Sequence, residues 1–303
     1  MDFRQLEYFQ RVAELGSFTK AAQSLGVAQS VVSRHVRQLE VDLRQNLLMR
    51  SGQGAIPTAA GNVLLEHARG IAHQVQRAKQ DLSRVRSPNS GRVAVGMTPS
   101  AARAMAVQLT HKFRQRLPDA TLSISEALSL ILKEWLLAGR LDLAVIYNPP
   151  ASSDLQFSTL TSEPLYLIGR KTESPPGLTI PLRMLANTPL IVPNRPHTVR
   201  MLVETELILA GYRPNIRMEI DGITAILDLV AEGAGYAILT EHAILTSGQP
   251  QRFYLRRIIQ PDLYSRLYAA TTRERYINPV QKITLELIKS TVGETYPRSM
   301  VTI

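Results

Sequence analysis

Five hydrogen-bonding side chains recur on one face of the stretch between Gln29 and Arg37. They are Gln29, Ser30, Ser33, Arg34 and Arg37. The apolar side chains of the same stretch recur three and four residues apart, on the opposite face of a helix. They are Val32, Val36, Leu39 and Leu43. Arginine donates to guanine, glutamine pairs with adenine and hydroxyls bond to bases or phosphates, so the pattern predicts a helix that contacts the major groove of DNA.

A shorter helix and a tight turn must position that helix. The hydroxyl of Ser17 or of Thr19 can cap the shorter helix, because it accepts from unpaired backbone N–H groups. Its apolar face is formed by Ala21, Ala22 and Leu25. Gly26 then permits the positive φ of a sharp turn. The pair predicts a helix-turn-helix; the alternative is an amphipathic helix pair with an ordinary solvated face.

The segments on either side complete a small head. Residues 4–15 carry an apolar helical face and predict a helix that packs behind the other two. Residues 47–50 and 55–58 are short extended pieces joined by the glycine-containing run 51–54, which predicts a β-hairpin wing. Polar side chains of the wing would contact the sugar-phosphate backbone, which fixes register but carries no sequence information.

A long helix with a heptad pattern is predicted from Thr58 to about Arg86. Its apolar residues, called here the dimer seam, occupy the a and d positions of a coiled coil. They are Leu64, Ala68, Ile71, Val75, Ala78, Leu82 and Val85. Because an isolated helix would expose this stripe, we expect it to pair with a second copy of the chain, which would supply two heads for a two-fold DNA site. The alternative is packing against the C-terminal part of the same chain.

Residues 2–86 resemble the winged helix-turn-helix and linker helix of LysR-type transcriptional regulators. The resemblance is carried by LEYFQRVAELGSFTKAAQSLGVAQSVVSRHVRQLE and LLMRSGQGAIPTAAG, and with the remainder it covers essentially all 303 residues. The family usually has proline at the position of Ser30 and glycine at the position of Arg44. We therefore expect the helix exit at Arg44, where a left-handed C-cap belongs, to differ slightly. The residues predicted to contact DNA are Thr19, Gln29, Ser30, Val31, Ser33, Arg34, Arg37, Arg50, Ser51 and Gln53.

Composition and charge favour a soluble protein with a polyanionic partner. Apolar residues make up 45% of the chain and charged residues 20%, as in ordinary globular proteins. The net charge is +10 at pH 7, and half of it lies in the first 90 residues, as expected for a nucleic-acid-binding head. The polar N-terminus is unlike a signal peptide, and no uncharged apolar run reaches the ~18 residues needed to span a bilayer. We therefore expect a cytoplasmic protein with no membrane partner.

From Arg92 onward, short apolar strands alternate with helices, which predicts a parallel α/β sheet covered on both faces. The resemblance implies two α/β lobes like those of a type 2 periplasmic binding protein, with chain crossings near Glu163 and Tyr264–Arg266. The predicted domains are a winged helix-turn-helix at 1–58, a linker and dimerisation helix at 59–90 and an effector-binding domain at 91–303. Lobe I would comprise about 91–162 and 267–303, and lobe II about 163–266.

Several predicted strands end where a helix begins, which is where ligands bind in open parallel sheets. These positions match the inducer cleft of the LysR family. The residues predicted to bind an effector are Thr98, Ser100, Leu128, Ser129, Tyr147, Asn194, Arg195, His197, Thr198, Gly222 and Ile223. Hydroxyls and helix N-termini suit a carboxylate or another small anion, and Arg195 and His197 would add positive charge. The alternatives are ordinary helix caps, solvated loop residues and, for Tyr147, a core or hinge aromatic.

Sequence patterns of catalysis and cofactor binding are missing. The chain has no cysteine, which excludes disulfides and thiolate chemistry, and it has no GxSxG, P-loop or HExxH motif. The six histidines lack metal-ligand spacing. Gly233 and Gly235 follow a predicted helix and precede a strand, the opposite order to a dinucleotide fingerprint. We therefore predict no enzyme activity, no cofactor and no metal.

The leading interpretation is a sequence-specific transcriptional regulator whose two-lobed domain binds a small-molecule effector. The resemblance further implies a tetramer built as a dimer of dimers, promoter DNA as the target and RNA polymerase as a further partner. VGMTPSA, EWLLAGRLDLAVIY and PNRPH resemble the branch that contains the nitrogen assimilation control protein. The alternatives are an effector-independent or nucleoid-type DNA-binding protein; a solute-binding protein would leave the basic head unexplained.

Overall fold

A computed structural model describes residues 1–51, 54–83, 90–171, 177–273 and 277–296, without the side chains of residues 50, 51, 77 and 80–83. The chain divides into two compact units. The first, called the head, comprises Met1–Arg86 and Leu137–Arg140. The second, called the body, comprises Ser87–Leu136 and Leu141–Ile303.

Three helices and a hairpin form most of the head. They are α1 (Phe3–Leu15), α2 (Phe18–Leu25), α3 (Gln29–Leu43), β1 (Leu48–Ser51) and β2 (Gly54–Pro57). β1 and β2 pair antiparallel, which confirms the predicted wing within one residue at each end. The shared core contains Phe9, Val12, Val32, Val36 and Leu39. These side chains are almost fully buried, so the apolar face predicted for α3 is confirmed.

Side-chain caps begin the first two helices. Asp2 Oδ1 accepts from the N–H of Gln5 at 2.8 Å, and Ser17 Oγ accepts from the N–H of Lys20 at 3.3 Å. Ser17, rather than Thr19, is therefore the cap of α2. Each cap satisfies an N–H group that the first turn of a helix leaves unpaired.

The exit from α3 keeps the left-handed geometry. Arg44 adopts φ 53° and ψ 37°, and its N–H donates to the carbonyls of Glu40 and Val41. The expected difference at this exit is therefore not observed. A residue with a Cβ occupies the left-handed C-cap, a conformation that costs roughly 1–2 kcal/mol relative to the right-handed one, because it satisfies carbonyls at the end of α3.

Helix α4 (Ala59–Ser83) follows the wing. The hydroxyl of Thr58 accepts from the N–H of Gly61 at 3.0 Å, so Thr58, where the sequence predicts that this helix begins, is its cap. The predicted end of this helix near Arg86 lies outside the described residues. The run SPNSG at 87–91 has no apolar residue and predicts a linker between the head and the body, and 87–89 also lie outside the described residues.

Alternating strands and helices begin the body. They are β3 (Gly91–Met97), α5 (Pro99–Arg116), β4 (Ala120–Glu126), α6 (Ser129–Leu137) and β5 (Leu143–Tyr147). The strands pair in parallel in the order β4-β3-β5. Val95, Phe113 and Val145 lie in the core between this sheet and its helices, as the alternation of apolar segments predicts.

The remaining elements complete the second lobe and return to the first. They are β6 (Leu155–Arg170), β7 (Thr179–Pro181), β8 (Leu190–Val192), α7 (Thr198–Leu209), β9 (Ile216–Glu219), α8 (Ile223–Ala231), β10 (Ala237–Thr240), α9 (Glu241–Leu245), β11 (Phe253–Ile259), β12 (Tyr264–Thr272) and α10 (Pro279–Thr295). The sheet is mixed rather than parallel, because β6 pairs antiparallel with β10, β11 and β12. Ile288 and Val292 of α10 join the core of the first lobe.

Strands β6 and β12 connect the two lobes. β6 pairs with β12 from Leu155 to Pro164 and with β10 from Leu165 onward. Tyr264, the first residue of β12, lies opposite Pro164. These positions lie beside those at which the sequence predicts the crossings. The sequence pattern predicts a strand only at 165–169, the second half of β6, because the polar first half and its proline lack a hydrophobic period.

Candidate nucleic-acid interface and ligand cleft

The outer face of α3 carries the side chains predicted to contact bases. Gln29, Ser30, Arg34 and Arg37 are exposed, and Val31 and Ser33 are half-buried. Neither arginine forms an ion pair within the residues that the structure describes. Both guanidinium groups are therefore available for the acceptors of bases or phosphates.

Hydrogen bonds fix the wing to the helices. Glu40 Oε1 accepts from the N–H groups of Leu47 at 2.8 Å and Leu48 at 3.1 Å. The N–H of Ala55 donates to the carbonyl of Gly16 at 2.8 Å. A Cβ at Gly54 would lie 2.2 Å from that carbonyl oxygen, and the φ of Gly54 is +130°, so this position requires glycine. The wing therefore has a defined orientation relative to α3.

The other predicted DNA contacts lie on α2 and the wing. Thr19 is exposed on α2. The backbone of Arg50 and Ser51 belongs to β1, but their side chains and the whole of Gln53 lie outside the described residues. Their contacts with DNA stay predictions.

The dimer seam is divided between the head core and the surface of α4. Ala68 is 2% exposed and belongs to the head core, against which Leu64 also packs. Contrary to the prediction, these two positions serve the head, because the first turns of α4 pack on α1 through the same stripe. Ile71 is 38% exposed, Ala78 is exposed and Val75 is half-buried. The side chain of Leu82 and all of Val85 lie outside the described residues.

A cavity of about 250 Å³, called the cleft, lies in the body where several strands end and helices begin. Nine of the eleven residues predicted to bind an effector line it. They are Thr98, Ser100, Leu128, Ser129, Tyr147, His197, Thr198, Gly222 and Ile223. Its volume is just below the roughly 300–1,000 Å³ of typical small-molecule sites, so the cleft suits a small ligand.

Further lining residues escaped the sequence prediction. Leu239 and Thr240 end β10, Asp221 follows β9 and Ser265 belongs to β12. The rule that ligands meet the carboxyl ends of strands would have found Thr240 and Asp221. No local signal marks Ser265, because it reaches the cleft only through the crossing of β12 between the lobes.

Asn194 and Arg195 do not line the cleft, contrary to the prediction. The N–H of Asn194 donates to Asp221 Oδ1 at 3.2 Å. Arg195 forms an ion pair with Glu204 on α7. Sequence position alone cannot show this, because the direction of a loop side chain depends on the partner it finds. Arg195 therefore adds no positive charge to the cleft.

His197 lines the cleft as a neutral side chain. Burial lowers its pKa below the ordinary value; the carboxylate of Asp221 opposes this shift and the guanidinium of Arg200 reinforces it. The imidazole is therefore uncharged at pH 7. The expected positive charge is corrected, since loss of hydration outweighs the nearby carboxylate.

Three helices begin at the cleft without a side-chain cap. Thr98, His197 and Gly222 are the N-cap residues of α5, α7 and α8, and none of them accepts a hydrogen bond from the first turn of its helix. Side chains do cap other helices: Asp2, Ser17, Thr58 and Asn278 away from the cleft, and the cleft-lining Thr240, which caps the short helix α9. Uncapped N-termini present N–H groups and the positive end of the helix dipole, so the cleft offers a favourable environment for an anion.

Tyr147 joins the cleft to a buried carboxyl group at the lobe crossing. Its N–H donates to Ser129 Oγ at 3.1 Å, and its hydroxyl donates to Glu163. Burial raises the pKa of Glu163 to about 7, although hydrogen bonds from Tyr147 and Thr240 oppose the shift. Tyr147 therefore combines two of the roles that the sequence leaves open, at the ligand surface and at the hinge.

The described part of the chain holds neither a cluster of metal-ligand side chains nor a membrane-spanning helix. No group of three or more His, Cys, Asp or Glu side chains there could hold a metal ion. None of the helices described is long and apolar enough to cross a membrane. Gly233 has a φ of +82° and follows α8, in a helix-to-strand turn rather than a strand-to-helix phosphate loop.

Family models match both units. Residues 3–62 match the model of the bacterial regulatory helix-turn-helix protein, lysR family. Residues 86–293 match the LysR substrate binding domain. Together they cover α1–α3, the wing, the first residues of α4 and nearly all of the body.

Individual relatives extend the likeness over the full length. The chain is 31% identical to the nitrogen assimilation regulatory protein nac of Klebsiella aerogenes over 294 residues, 97% of this chain and 96% of that protein. It is 33% identical to the HTH-type transcriptional regulator BbuR of Bordetella bronchiseptica, over 80% of this chain and 75% of that protein. The crystal structure of full-length CbnR complexed with its target DNA is 26% identical, with a TM-score of 0.69 over 96% of this chain and 100% of that chain.

Proposed function

The chain belongs to the LysR family of bacterial transcriptional regulators, and we propose that α3 contacts the bases of promoter DNA while the wing contacts the backbone. The observation that carries the proposal is the exposed face of α3, on which Gln29, Arg34 and Arg37 lie opposite the buried apolar side chains. α3 begins after Ala28, which has no capping side chain. Its first N–H groups therefore remain for a phosphate or a base.

The DNA-binding form is a dimer through α4, and two dimers form a tetramer. The partly exposed Ile71 and Ala78 support the first interface, because each dimer contact would cover apolar surface that a lone helix leaves in water. Two heads related by a two-fold axis suit a pseudo-palindromic site in a promoter. The protein acts in the cytoplasm, and RNA polymerase is its further partner.

The body responds to a small effector bound in the cleft, and it does so without catalysis. Nine predicted residues from both lobes meet in this cavity, which supports a role in ligand binding. An effector that binds one lobe arrangement more tightly shifts the population toward it and so changes the relation between bodies and DNA. The uncapped N-termini of α5, α7 and α8 favour a ligand with a carboxylate or another small anionic group.

Selection of bound duplexes from a random DNA library, followed by fluorescence anisotropy, tests DNA recognition by the full-length chain. We expect the selected duplexes to share a two-fold motif and to bind at least 1,000-fold more tightly than scrambled duplexes, on the order of specific regulators. Binding with a steep salt dependence and no sequence preference would instead indicate a nucleoid-type protein.

A further inference from the structure

Among the described residues, the lining of the cleft carries a negative charge and no positive charge. Asp221 is the only Asp, Glu, Lys or Arg side chain among the described residues that line it. The two arginines that flank the cleft-lining stretch 196–199 are occupied elsewhere: Arg195 pairs with Glu204, and Arg200 donates to Glu204 at 2.7 Å and to Glu219 at 3.0 Å. Asp221 has no ion-pair partner in the described part of the chain.

The carboxylate of Asp221 keeps most of its acceptor capacity. Among the described residues it accepts one hydrogen bond, from the N–H of Asn194 at 3.2 Å, whereas a carboxylate has about four lone-pair positions. An exposed carboxylate costs little on its own, but it repels a second negative charge brought into the same small cavity. A dianionic ligand is therefore disfavoured, and a positively charged group beside Asp221 is favoured.

The helix N-termini at the same cavity favour a negatively charged ligand group. α5, α7 and α8 direct uncapped N-termini to it. Thr98, the N-cap residue of α5, is 6% exposed and its Oγ1 has no hydrogen-bond partner among the described residues. A buried hydroxyl without a partner costs free energy, so a ligand group that bonds to it is stabilised. One carboxylate would satisfy both the N–H groups and this hydroxyl.

Apolar side chains form much of the remaining wall. Leu128, Val199, Ile223 and Leu239 all line the cavity. Such a wall binds a hydrocarbon group by removing it from water, at roughly 25 cal/mol per Å² of buried apolar surface. The cavity thus presents three chemically different surfaces within about 250 Å³.

We propose that the effector is a small zwitterion, an α-amino acid or a compound of the same charge pattern with an apolar side chain. Its carboxylate lies at the N-termini of α5 and α7, its ammonium group pairs with Asp221 and its side chain contacts the apolar wall. This inference rests on the proposed function of the cleft as an effector site. Because His197 is neutral, no cation on that side chain competes with the ammonium group for Asp221.

Thermal unfolding of the full-length protein tests this inference with matched probes. The panel contains L-alanine, L-valine, L-leucine, L-isoleucine, L-methionine and L-phenylalanine, each beside the amine without its carboxylate and the acid without its amino group. Succinate and glutarate are included as dicarboxylates. We expect at least one amino acid to raise the Tm and to bind at least 10-fold more tightly than both of its partial analogues. Absence of a shift with every amino acid, or equal binding of the deaminated acid, would overturn the inference.

Asp221→Asn identifies the group that recognises the ammonium. It should lower the affinity for the bound amino acid at least 10-fold without lowering the weak affinity for the deaminated acid, whose negative charge Asp221 repels. Asp228→Asn is the matched control, since Asp228 is exposed on α8 and does not line the cleft; its affinity should equal that of the wild type. If Asp221→Asn fails to fold, the comparison of analogues on the wild-type protein still decides the question.

DNA binding by the same preparation separates this inference from the proposed function. Retained sequence-specific binding together with stabilisation by dicarboxylates, but not by amino acids, would refute the zwitterion and leave the effector site intact. Retained DNA binding with no stabilisation by any probe would refute the zwitterion and the effector site but not the DNA-binding function. Loss of sequence preference would refute the proposed function itself.

Discussion

The hydroxyl of Tyr147 donates a hydrogen bond to Glu163 Oε2 at 3.0 Å, beside the point where β6 crosses from one lobe to the other. On its other side this hydroxyl lies 3.4 Å from that of Tyr296, and the ring of Tyr296 stacks on His242 at a centroid distance of 4.3 Å. Tyr147 also lines the cleft. The side chain of Tyr147 therefore links the cleft to the carboxyl group of Glu163 at the lobe crossing.

The stability of the body should fall between pH 4.5 and 7 because of Glu163. Burial raises its pKa from 4.5 to about 7, so the folded state holds this proton more tightly than the unfolded state does. The stabilising contribution is complete below pH 4.5 and is lost as the pH rises through 7, by about 3 kcal/mol in total. Glu163→Gln cannot lose a proton, so urea unfolding should show it more stable than the wild type at pH 8 and similar at pH 4.5. Glu134→Gln, at an exposed position, should leave the pH profile unchanged; an unchanged profile in Glu163→Gln would disprove the assignment.

Arg34→Ala should reduce discrimination between cognate and scrambled DNA. If the guanidinium bonds to a base in two places, its removal costs about 1–3 kcal/mol, chiefly on the cognate duplex. Arg11→Ala removes the same charge from an exposed position of α1 and should weaken both duplexes alike. Anisotropy titrations at fixed salt measure both ratios. A cognate-to-scrambled ratio that stays at the wild-type value in Arg34→Ala would remove this residue from base recognition.

Arg44→Gly should stabilise the head by about 1 kcal/mol, because glycine adopts the left-handed conformation without the steric cost of a Cβ. Gln38→Gly, in the middle of α3, should have the opposite sign and destabilise by about 1 kcal/mol. Chemical denaturation of both variants gives the comparison. Equal destabilisation by the two changes would show that the Arg44 side chain stabilises the head by more than the steric cost of its left-handed backbone conformation.

Ile71→Asp combined with Val75→Asp should dissociate the dimer, since two charges on each helix would face each other across the dimer seam. Gln76→Asp adds one charge at an exposed position of the same helix outside the seam and should leave the oligomer intact. Sedimentation velocity over a range of protein concentrations measures the outcome. An undiminished oligomer in the double variant would assign self-association to another surface.

Local patterns predicted most of the fold. The helical period of 29–43 and the glycine-containing turns of the wing depend on residues close in sequence, and both were predicted. The first half of β6 was not, because its polar residues are held by pairing with β12, about one hundred residues away. The use of Ala68 by the head core was missed for a related reason: one apolar stripe can serve two partners, and periodicity does not say which.

The sequence predicts those cleft residues that lie where a strand ends and a helix begins. Thr98, Thr198 and Gly222 follow that rule. The sequence does not predict the residues whose side-chain direction depends on an ion-pair or hydrogen-bond partner. Arg195 has the charge and position of a ligand-binding residue, but Glu204 lies within its reach. The sequence correctly places His197 at the cleft but predicts the wrong charge for it, because the charge depends on the burial of the imidazole.

The helices that begin without a side-chain cap also show where this chain could be made more stable. A side-chain cap contributes typically about 1 kcal/mol, so capping α5, α7 and α8 would stabilise the unliganded protein by an amount comparable to the ~2.7 kcal/mol that a ligand gives at 100 times its dissociation constant. Asp, Ser or Asn placed at His197 would thus compete with the ligand for the first N–H groups of α7, whereas Gly222 has a φ of +98°, at which a residue with a Cβ is strained. Such variants should have a higher Tm and respond less to the ligand, because the cap occupies N–H groups in the first helical turn that the ligand would otherwise bind.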